Sequence, residues 1–262
     1  MVLMYGWALT IDQRHSRISP DAVPRLLAAL ADLPVLDLGP EAPHPSGVDA
    51  PSQEPFRAPR WDLLPERTAG DEVQAFTADP ATLVAATWTV CGAGRWWCGI
   101  GMGQVDTPLP SSTREATGTA YLAARDAVTA AKSSLGGMVV RSGPPSPTSP
   151  SAAATPCAQQ VRFIRAMEVV SDLAGSTTPA VREVCALYDR GMTTARAAQQ
   201  VGVSAAAISQ RLTRARWSFL RRTRELAIDL ATEALASIVA GSPQQSASPA
   251  ERPSAGTAGR SS

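Results

Sequence analysis

The segment RTAGDEVQAF, residues 67–76, decides how the first half of the chain is interpreted. Its centre, Ala69-Gly70-Asp71-Glu72, is rich in turn-forming residues and separates two segments with strand character, 61–68 and 73–77. Two such segments joined by a short turn predict a β-hairpin with the acidic pair at its tip. A sheet is therefore expected in this half of the chain.

Strand and helix signals alternate on both sides of this hairpin. They predict a strand over 7–11 that ends at Asp12, a helix that begins at Ser19-Pro20-Asp21, a helix from Pro80 to about Val90, a strand over 96–105 and a helix over 116–132. The order β-α-β-β-α-β-α predicts an α+β ferredoxin-like or palm domain with an antiparallel sheet and helices on one face. Trp88, Trp96 and Trp97 are expected in its core.

Three segments of the chain are rich in proline, serine and alanine. Residues 39–60 predict a surface loop within the first domain, 141–158 an inter-domain linker, and 241–262 a disordered tail. The domains are then 1–140, the palm-like part, and 159–240, which is helical throughout and predicts an all-α DNA-binding domain.

The two halves differ in charge. Residues 1–140 carry 10 Lys and Arg against 15 Asp and Glu, and residues 141–262 carry 14 against 8, so an acidic half precedes a basic one. This difference favours two modules with different partners. The four cysteines lack metal-site or disulfide-scaffold spacing, and no apolar run is long enough for a membrane span. A soluble, cytoplasmic protein without a membrane partner is expected.

Three carboxylates in the first half form a candidate metal site. Asp12 ends the first strand and Asp71-Glu72 lie at the hairpin tip, so a palm fold brings them to one edge of the sheet. Mg²⁺ binds through one or two carboxylates plus substrate phosphates. Gly70 lets backbone approach a phosphate, and the run 13–17 offers amide groups and cations to an anion. The alternative is an ordinary acidic hairpin turn, with Asp12 simply ending a strand.

Four motifs in this half resemble the SatD family. They are TIDQRHSR (10–17), RTAGDEVQAF (67–76), GIGMGQVDTPLPSST (99–113) and GTAYLAARDAV (118–128). The family has a similar strand ending in Asp, then GDEFQ, then GIGxG, then a helix with Gly-x-Ala and Ala-Arg. The resemblance keeps this order and covers most of residues 5–132.

The same landmarks resemble, more distantly, GGDEF diguanylate cyclases and class III nucleotide cyclases. That resemblance implies that Asp12, Asp71 and Glu72 hold Mg²⁺ with a nucleotide. The nucleotide-binding residues expected with them are Gln13, Arg14, Ser16, Gly70, Arg125 and Lys132, the only lysine of the chain. The chain departs from these families at Gly136, where diguanylate cyclases have an arginine, and at Tyr121, where class III cyclases have an asparagine. Groups that stabilise a transferring phosphoryl are partly missing, which favours binding over turnover.

The basic half contains a helix-turn-helix pattern over 184–217. Ala197-Ala198 are small residues for close helix packing, and Val201-Gly202-Val203 is the turn. Helices are predicted over 193–201 and 204–220, the second capped by Ser204 and facing the core with Ile208 and Leu212. The segment resembles the helix-turn-helix of sigma-factor region 4 and of LuxR-type regulators. The alternative is an αα-hairpin with a solvated basic face.

The second of these helices is predicted to contact DNA. Its predicted DNA-binding residues are Ser204, Ala205, Ser209, Gln210, Arg211, Arg214 and Arg216. Six arginines and no acidic residue lie between Ser204 and Arg224, a concentration that favours phosphate contacts.

Two functions are consistent with the sequence. The first is a DNA-binding transcriptional regulator whose palm-like domain senses a nucleotide or metal, with homodimerisation left open. The alternative is a divergent nucleotide cyclase or nucleotidyltransferase-like enzyme that uses Mg²⁺ and a nucleoside triphosphate. A third interpretation is that the palm domain only mediates dimerisation. The sequence predicts no catalytic nucleophile, since His15 and His44 lack partners at a suitable spacing.

Overall fold

A computed structural model describes residues 4–36, 57–143 and 155–241 of the 262-residue chain. Its strands are β1 (Met4–Gln13), β2 (Leu63–Arg67), β3 (Glu72–Thr77), β4 (Trp96–Val105) and β5 (Met138–Ser142). Its α-helices are α1 (Val23–Ala31), α2 (Pro80–Gly92), α3 (Thr119–Ala131), α4 (Ala158–Ser176), α5 (Pro179–Asp189), α6 (Thr194–Val201), α7 (Ala205–Ala215) and α8 (Trp217–Gly241). A 3-10 helix covers Thr113–Glu115. The described part of the chain is therefore α+β, as predicted.

The five strands form one mixed sheet in the order β2-β3-β1-β4-β5. β1 is central and pairs antiparallel with β3 and β4, and β2 pairs antiparallel with β3. The predicted element order is observed from β1 to α3. The expectation of an antiparallel sheet was wrong because a strand that was not predicted, β5, follows α3 and pairs parallel with β4. A helix between two neighbouring strands allows this parallel pairing.

Helices cover both faces of the sheet, and not one face as expected. Trp7, Leu9 and Ile11 of β1 are fully buried on the side of α1, α2, α4 and α8. Ala8 and Thr10, which point the opposite way along the same strand, are also fully buried, on the side of α3. A central strand with both faces buried needs helices on both sides.

Glycines in β4 allow α3 to lie close to the sheet. A Cβ atom on Gly101 would lie 2.0 Å from the carbonyl oxygen of Ala120 and 2.2 Å from the amide nitrogen of Ala124. A Cβ on Gly99 would lie 2.2 Å from the amide nitrogen of Val128. The helix presents buried alanines to this path: Ala120, Ala123, Ala124, Ala127 and Ala131. The GIGMG motif is therefore explained by helix–strand packing.

The C-terminal helices share a hydrophobic core with the sheet. One apolar cluster contains Trp7 and Leu83 from the first half together with Phe163, Met167 and Ile228 from the second. The rings of Trp7 and Phe163 lie 5.8 Å apart between centroids.

The predicted linker lies mostly outside the described residues, as do most of the predicted loop 39–60 and nearly all of the predicted tail 241–262. The described residues on either side of the linker pack together.

A buried ion pair joins two C-terminal helices and also contacts a helix of the first half. The Arg224 guanidinium of α8 donates hydrogen bonds of 2.7 and 2.8 Å to the two carboxylate oxygens of Asp189 in α5. Both side chains are 3% exposed. The guanidinium also lies 5.0 Å from the ring of Trp88 in α2 and 5.1 Å from that of Trp217. Burial alone lowers the pKa of Arg224, but the Asp189 carboxylate outweighs it and raises this pKa, so the pair stays charged.

The helix predicted over 204–220 is divided in two. α7 ends at Ala215, Arg216 adopts a left-handed backbone with φ of 53°, and α8 begins at Trp217. The break lets Trp217 pack against Tyr188, with ring centroids 6.2 Å apart. α8 itself continues to Gly241, close to the expected end. None of the described helices combines the length and apolar character that a membrane span requires.

The glycine path predicts a large effect of one added methyl group. Gly101→Ala should lower the free energy of unfolding by about 1–3 kcal/mol, because its Cβ would overlap the backbone of α3. Gly175→Ala, in a helical position with no atom within 4 Å of the new Cβ, should be neutral or raise stability by about 0.5–1 kcal/mol. Urea unfolding of both variants measures the difference, and equal stabilities would contradict the close packing of α3.

The buried ion pair predicts a second strong effect. Arg224→Met should lower the free energy of unfolding by about 3–5 kcal/mol, since it leaves the Asp189 carboxylate buried without its cation. Arg25→Met, which removes an exposed cation from α1, should change it by no more than about 0.5 kcal/mol. A loss below about 1 kcal/mol for Arg224→Met in urea unfolding is inconsistent with a desolvated pair.

Candidate functional site

The first candidate site lies at the edge of the sheet where β1 ends. Asp12 pairs directly with Glu72 of β3 and with Trp97 of β4. Opposite residues of antiparallel strands project to the same face, so the two carboxylates are neighbours. The side chain of Asp12 is 16% exposed and forms an ion pair with the ammonium group of Lys132, which follows the last residue of α3. The structure thus brings together Asp12, Glu72 and Lys132.

At the hairpin tip, the Glu72 carboxylate already has hydrogen-bond partners within the protein. Oε1 of Glu72 accepts hydrogen bonds from Thr68 Oγ1 at 2.7 Å and from Gln74 Nε2 at 3.0 Å. Asp71 lies half-buried in the turn, and Gly70 occupies it with φ of 57° and open space around its α-carbon. Within the described ranges, no three metal-ligating side chains are gathered into one group. The three predicted ligands do not form a ready metal site.

The loop after β1 contains two of the predicted nucleotide-binding residues, Gln13 and Ser16, and is held by the first of them. The buried side chain of Gln13 donates to the carbonyl of Pro20 at 2.9 Å and accepts from the amide of Ala22 at 2.8 Å. Both polar ends of Gln13 therefore hold the chain that leads into α1. Ser16 is exposed on the same loop, one residue after a left-handed turn at His15 with φ of 58°.

Arg14 is held between the β1 loop and the sheet edge. Its Nε atom donates to the carbonyl of Trp96 at 2.9 Å, and its guanidinium lies 3.8 Å from the ring centroid of Trp97. Burial lowers the pKa of Arg14. A Cβ on Gly137 would overlap this guanidinium, so Gly137 makes room for it. Neither Gly137 nor Trp97 is predicted at this site from the sequence, although the glycine pair Gly136-Gly137 after Lys132 is a signal for it.

The two remaining predicted cations share one side of α3. Arg125 is exposed and lies seven residues before Lys132, which is two helical turns or about 10 Å. Arg125 forms no ion pair within the described part of the chain.

Tyr121, at the position of the cyclase asparagine, packs against Phe76 with ring centroids 6.2 Å apart. Burial, followed by the nearby Glu66 carboxylate, raises the pKa of Tyr121. Trp88 and Trp96 are buried as expected, and Trp97 is half-buried.

The second candidate site is the helix-turn-helix formed by α5, α6 and α7. Its small apolar core contains Val184, Leu187, Ala197, Ala198 and Ile208, with Leu212 packed against them. Gly202 ends α6 in a left-handed conformation with φ of 73°. Ser204 caps α7 by accepting a hydrogen bond of 3.1 Å from the amide of Ala207. The predicted turn, cap and inward-facing residues of this motif are observed.

One face of α7 is turned to solvent. Ser204, Ala205, Ser209, Gln210, Arg214 and Arg216 are exposed, and Arg211 is half-buried. The hydroxyl of Ser209 donates to the carbonyl of Ala205 at 3.1 Å, within the helix. Gln210 and Arg214, four residues apart, lie side by side on this face.

The basic cluster is smaller on the surface than the sequence suggests. Of its six arginines, Arg224 is buried against Asp189, and Arg221 is 8% exposed and bonds to Glu225 at 2.9 Å. Acidic partners outside the segment 204–224 therefore neutralise two of its six positive charges. The four arginines that reach solvent are Arg211, Arg214, Arg216 and Arg222.

Comparisons with known proteins add no relatives. No protein family, no curated protein and no solved structure matches the chain.

The exposure of the Asp12–Lys132 pair predicts a small contribution to stability. Lys132→Met should change the free energy of unfolding by no more than about 1 kcal/mol, because Lys132 is 51% exposed and solvent screens the pair. Urea unfolding of the wild type and the variant gives the difference. A loss above about 3 kcal/mol would show instead that Lys132 is part of the structural core.

Proposed function

We propose that this protein is a DNA-binding transcriptional regulator that reads the major groove with α7. The observation that carries this proposal is the exposed face of α7 on a three-helix unit. Gln210 and Ser209 lie there beside Arg214, and two of the three residues that precede Ile208 are exposed alanines. A capped helix with a solvent-facing N-terminal half, flanked by arginines, suits entry into the major groove.

The chemistry of this face assigns different tasks to its residues. Gln210 ends in an amide that offers a donor and an acceptor, the pair that an adenine edge complements. Arg211, Arg214, Arg216 and Arg222 supply the charge that phosphates require. Phosphates are identical along the duplex, so these arginines set affinity and register, while the few polar side chains of α7 set preference. Because Ala205 and Ala206 are too short to hydrogen-bond to bases, the preference is modest.

The sheet edge supports a sensing role for the first half of the chain. Lys132, Arg14 and the loop after β1 surround the end of β1 with cations and exposed backbone, which suits a phosphate-bearing ligand such as a nucleotide. We infer a palm-like domain of the SatD type here; the element order from β1 to α3 and the order of the four motifs support this inference. Its ligand adjusts the activity of the DNA-binding half through the core that the two halves share.

Substitutions on α7 separate base reading from phosphate contact. Gln210→Ala should remove a base contact worth about 1–3 kcal/mol and relax the preference at one position. Arg214→Ala should weaken binding to all duplexes alike and lower the slope of log affinity against log salt concentration by about one unit.

Gel-shift titrations at two salt concentrations measure both effects, and Arg25→Ala on α1, outside the helix-turn-helix, is the charge control. Wild-type protein that ignores duplex DNA at low salt, or two variants that both bind as the wild type does, would rule out α7 as a DNA reader.

A divergent nucleotide cyclase or nucleotidyltransferase is the second candidate, favoured by the pairing of Asp12 with Glu72. Incubation of the full chain with ATP or GTP and Mg²⁺ or Mn²⁺, followed by chromatography, tests it. We expect unchanged nucleotide, because Gly136 and Tyr121 replace groups that stabilise the transferring phosphoryl in cyclases. A cyclic product that disappears in Asp12→Asn would establish the enzyme instead.

A further inference from the structure

The carboxylates of Asp12 and Glu72 have the arrangement that divalent cations use, but their surroundings are already filled. They lie opposite each other on β1 and β3, and Asp12 is largely buried. Two side chains, Thr68 and Gln74, hydrogen-bond to Oε1 of Glu72. The ammonium group of Lys132 forms an ion pair with the carboxylate of Asp12. A metal ion here would have to displace a cation and would then lie next to it.

Lys132 is suited to replace a metal ion. It is the only lysine among 24 basic residues, in a chain that otherwise uses arginine throughout. An ammonium group is a compact point charge with three donors, whereas a guanidinium is planar and broad. Lys132 also follows the C-terminus of α3, whose last turn holds no basic residue, so it meets the negative end of the helix dipole as well as Asp12.

We propose that Lys132 is a built-in cation that takes the place of a divalent metal ion beside Asp12 and keeps this site metal-free. The acidic pair then holds the ammonium in position, and an anionic ligand at the sheet edge meets Lys132 and not Mg²⁺. The donor set of the described residues therefore disagrees with the metal site that the cyclase resemblance implies. This proposal concerns the metal alone and does not depend on DNA binding.

Titration of the full-length protein with Mn²⁺, followed by electron paramagnetic resonance of the free ion, tests it. The wild type should show no saturable site below millimolar Mn²⁺. Lys132→Met should gain one site at least tenfold tighter than any binding by the wild type, because the carboxylates lose their internal cation. The double variant Lys132→Met/Asp12→Asn should lose that site again.

Lys132→Arg, which keeps the positive charge, should still exclude Mn²⁺, and Arg25→Met should behave as the wild type. Circular dichroism checks folding, and Lys132→Gln replaces Lys132→Met if the latter unfolds. A wild-type Mn²⁺ site that Asp12→Asn removes would overturn the proposal. Absence of Mn²⁺ binding by folded Lys132→Met and by folded Lys132→Gln would also overturn it, since Lys132 would then not be what keeps the metal out.

Discussion

The close approach of α3 to β4 is the constraint on which the rest of the first half depends. Gly99 and Gly101 bring the helix backbone to a distance that no side chain on the strand would allow. At that distance the end of the helix reaches the end of β1, and Lys132 meets Asp12. The same packing sends the chain back through Gly137, whose missing side chain leaves room for Arg14. The packing of α3 on β4 thus contributes to the positions of both Lys132 and Arg14.

The second half is attached to this sheet by apolar burial and by the contact of the Arg224 guanidinium with Trp88 of α2. Phe163 packs in the core beside Trp7. The Arg224 guanidinium of α8 pairs with Asp189 of α5 and lies against the ring of Trp88. Arg190 also donates to the carboxylate of Asp32 at 2.6 Å, at the end of α1. These contacts leave the outward face of α7 uncovered. The fold therefore combines a firmly held helix-turn-helix with an exposed basic face, the arrangement on which the proposed DNA binding rests.

The sequence predicted the local elements well because their signals are local. The hairpin around Gly70, the turn at Gly202 and the cap at Ser204 are each set by a few neighbouring residues, and all three are observed. β5 was missed because its five residues carry little periodicity, and its place depends on α3 packing against β4. The break at Arg216 was missed because its left-handed backbone is held by the packing of Trp217 on Tyr188.

The sites were predicted less completely because charge partners are a tertiary property. The count of six arginines gave no sign that Arg224 faces Asp189, 35 positions away in the chain. Likewise, Lys132 was expected to reach phosphates, and its contact with Asp12 depends on where α3 ends.

Capture of genomic DNA fragments by the full-length protein at low and moderate salt, followed by sequencing, tests DNA binding most directly. The account predicts a recurring short motif whose recovery falls as salt rises. Fragments recovered without a shared motif, or no recovery even at low salt, would contradict it.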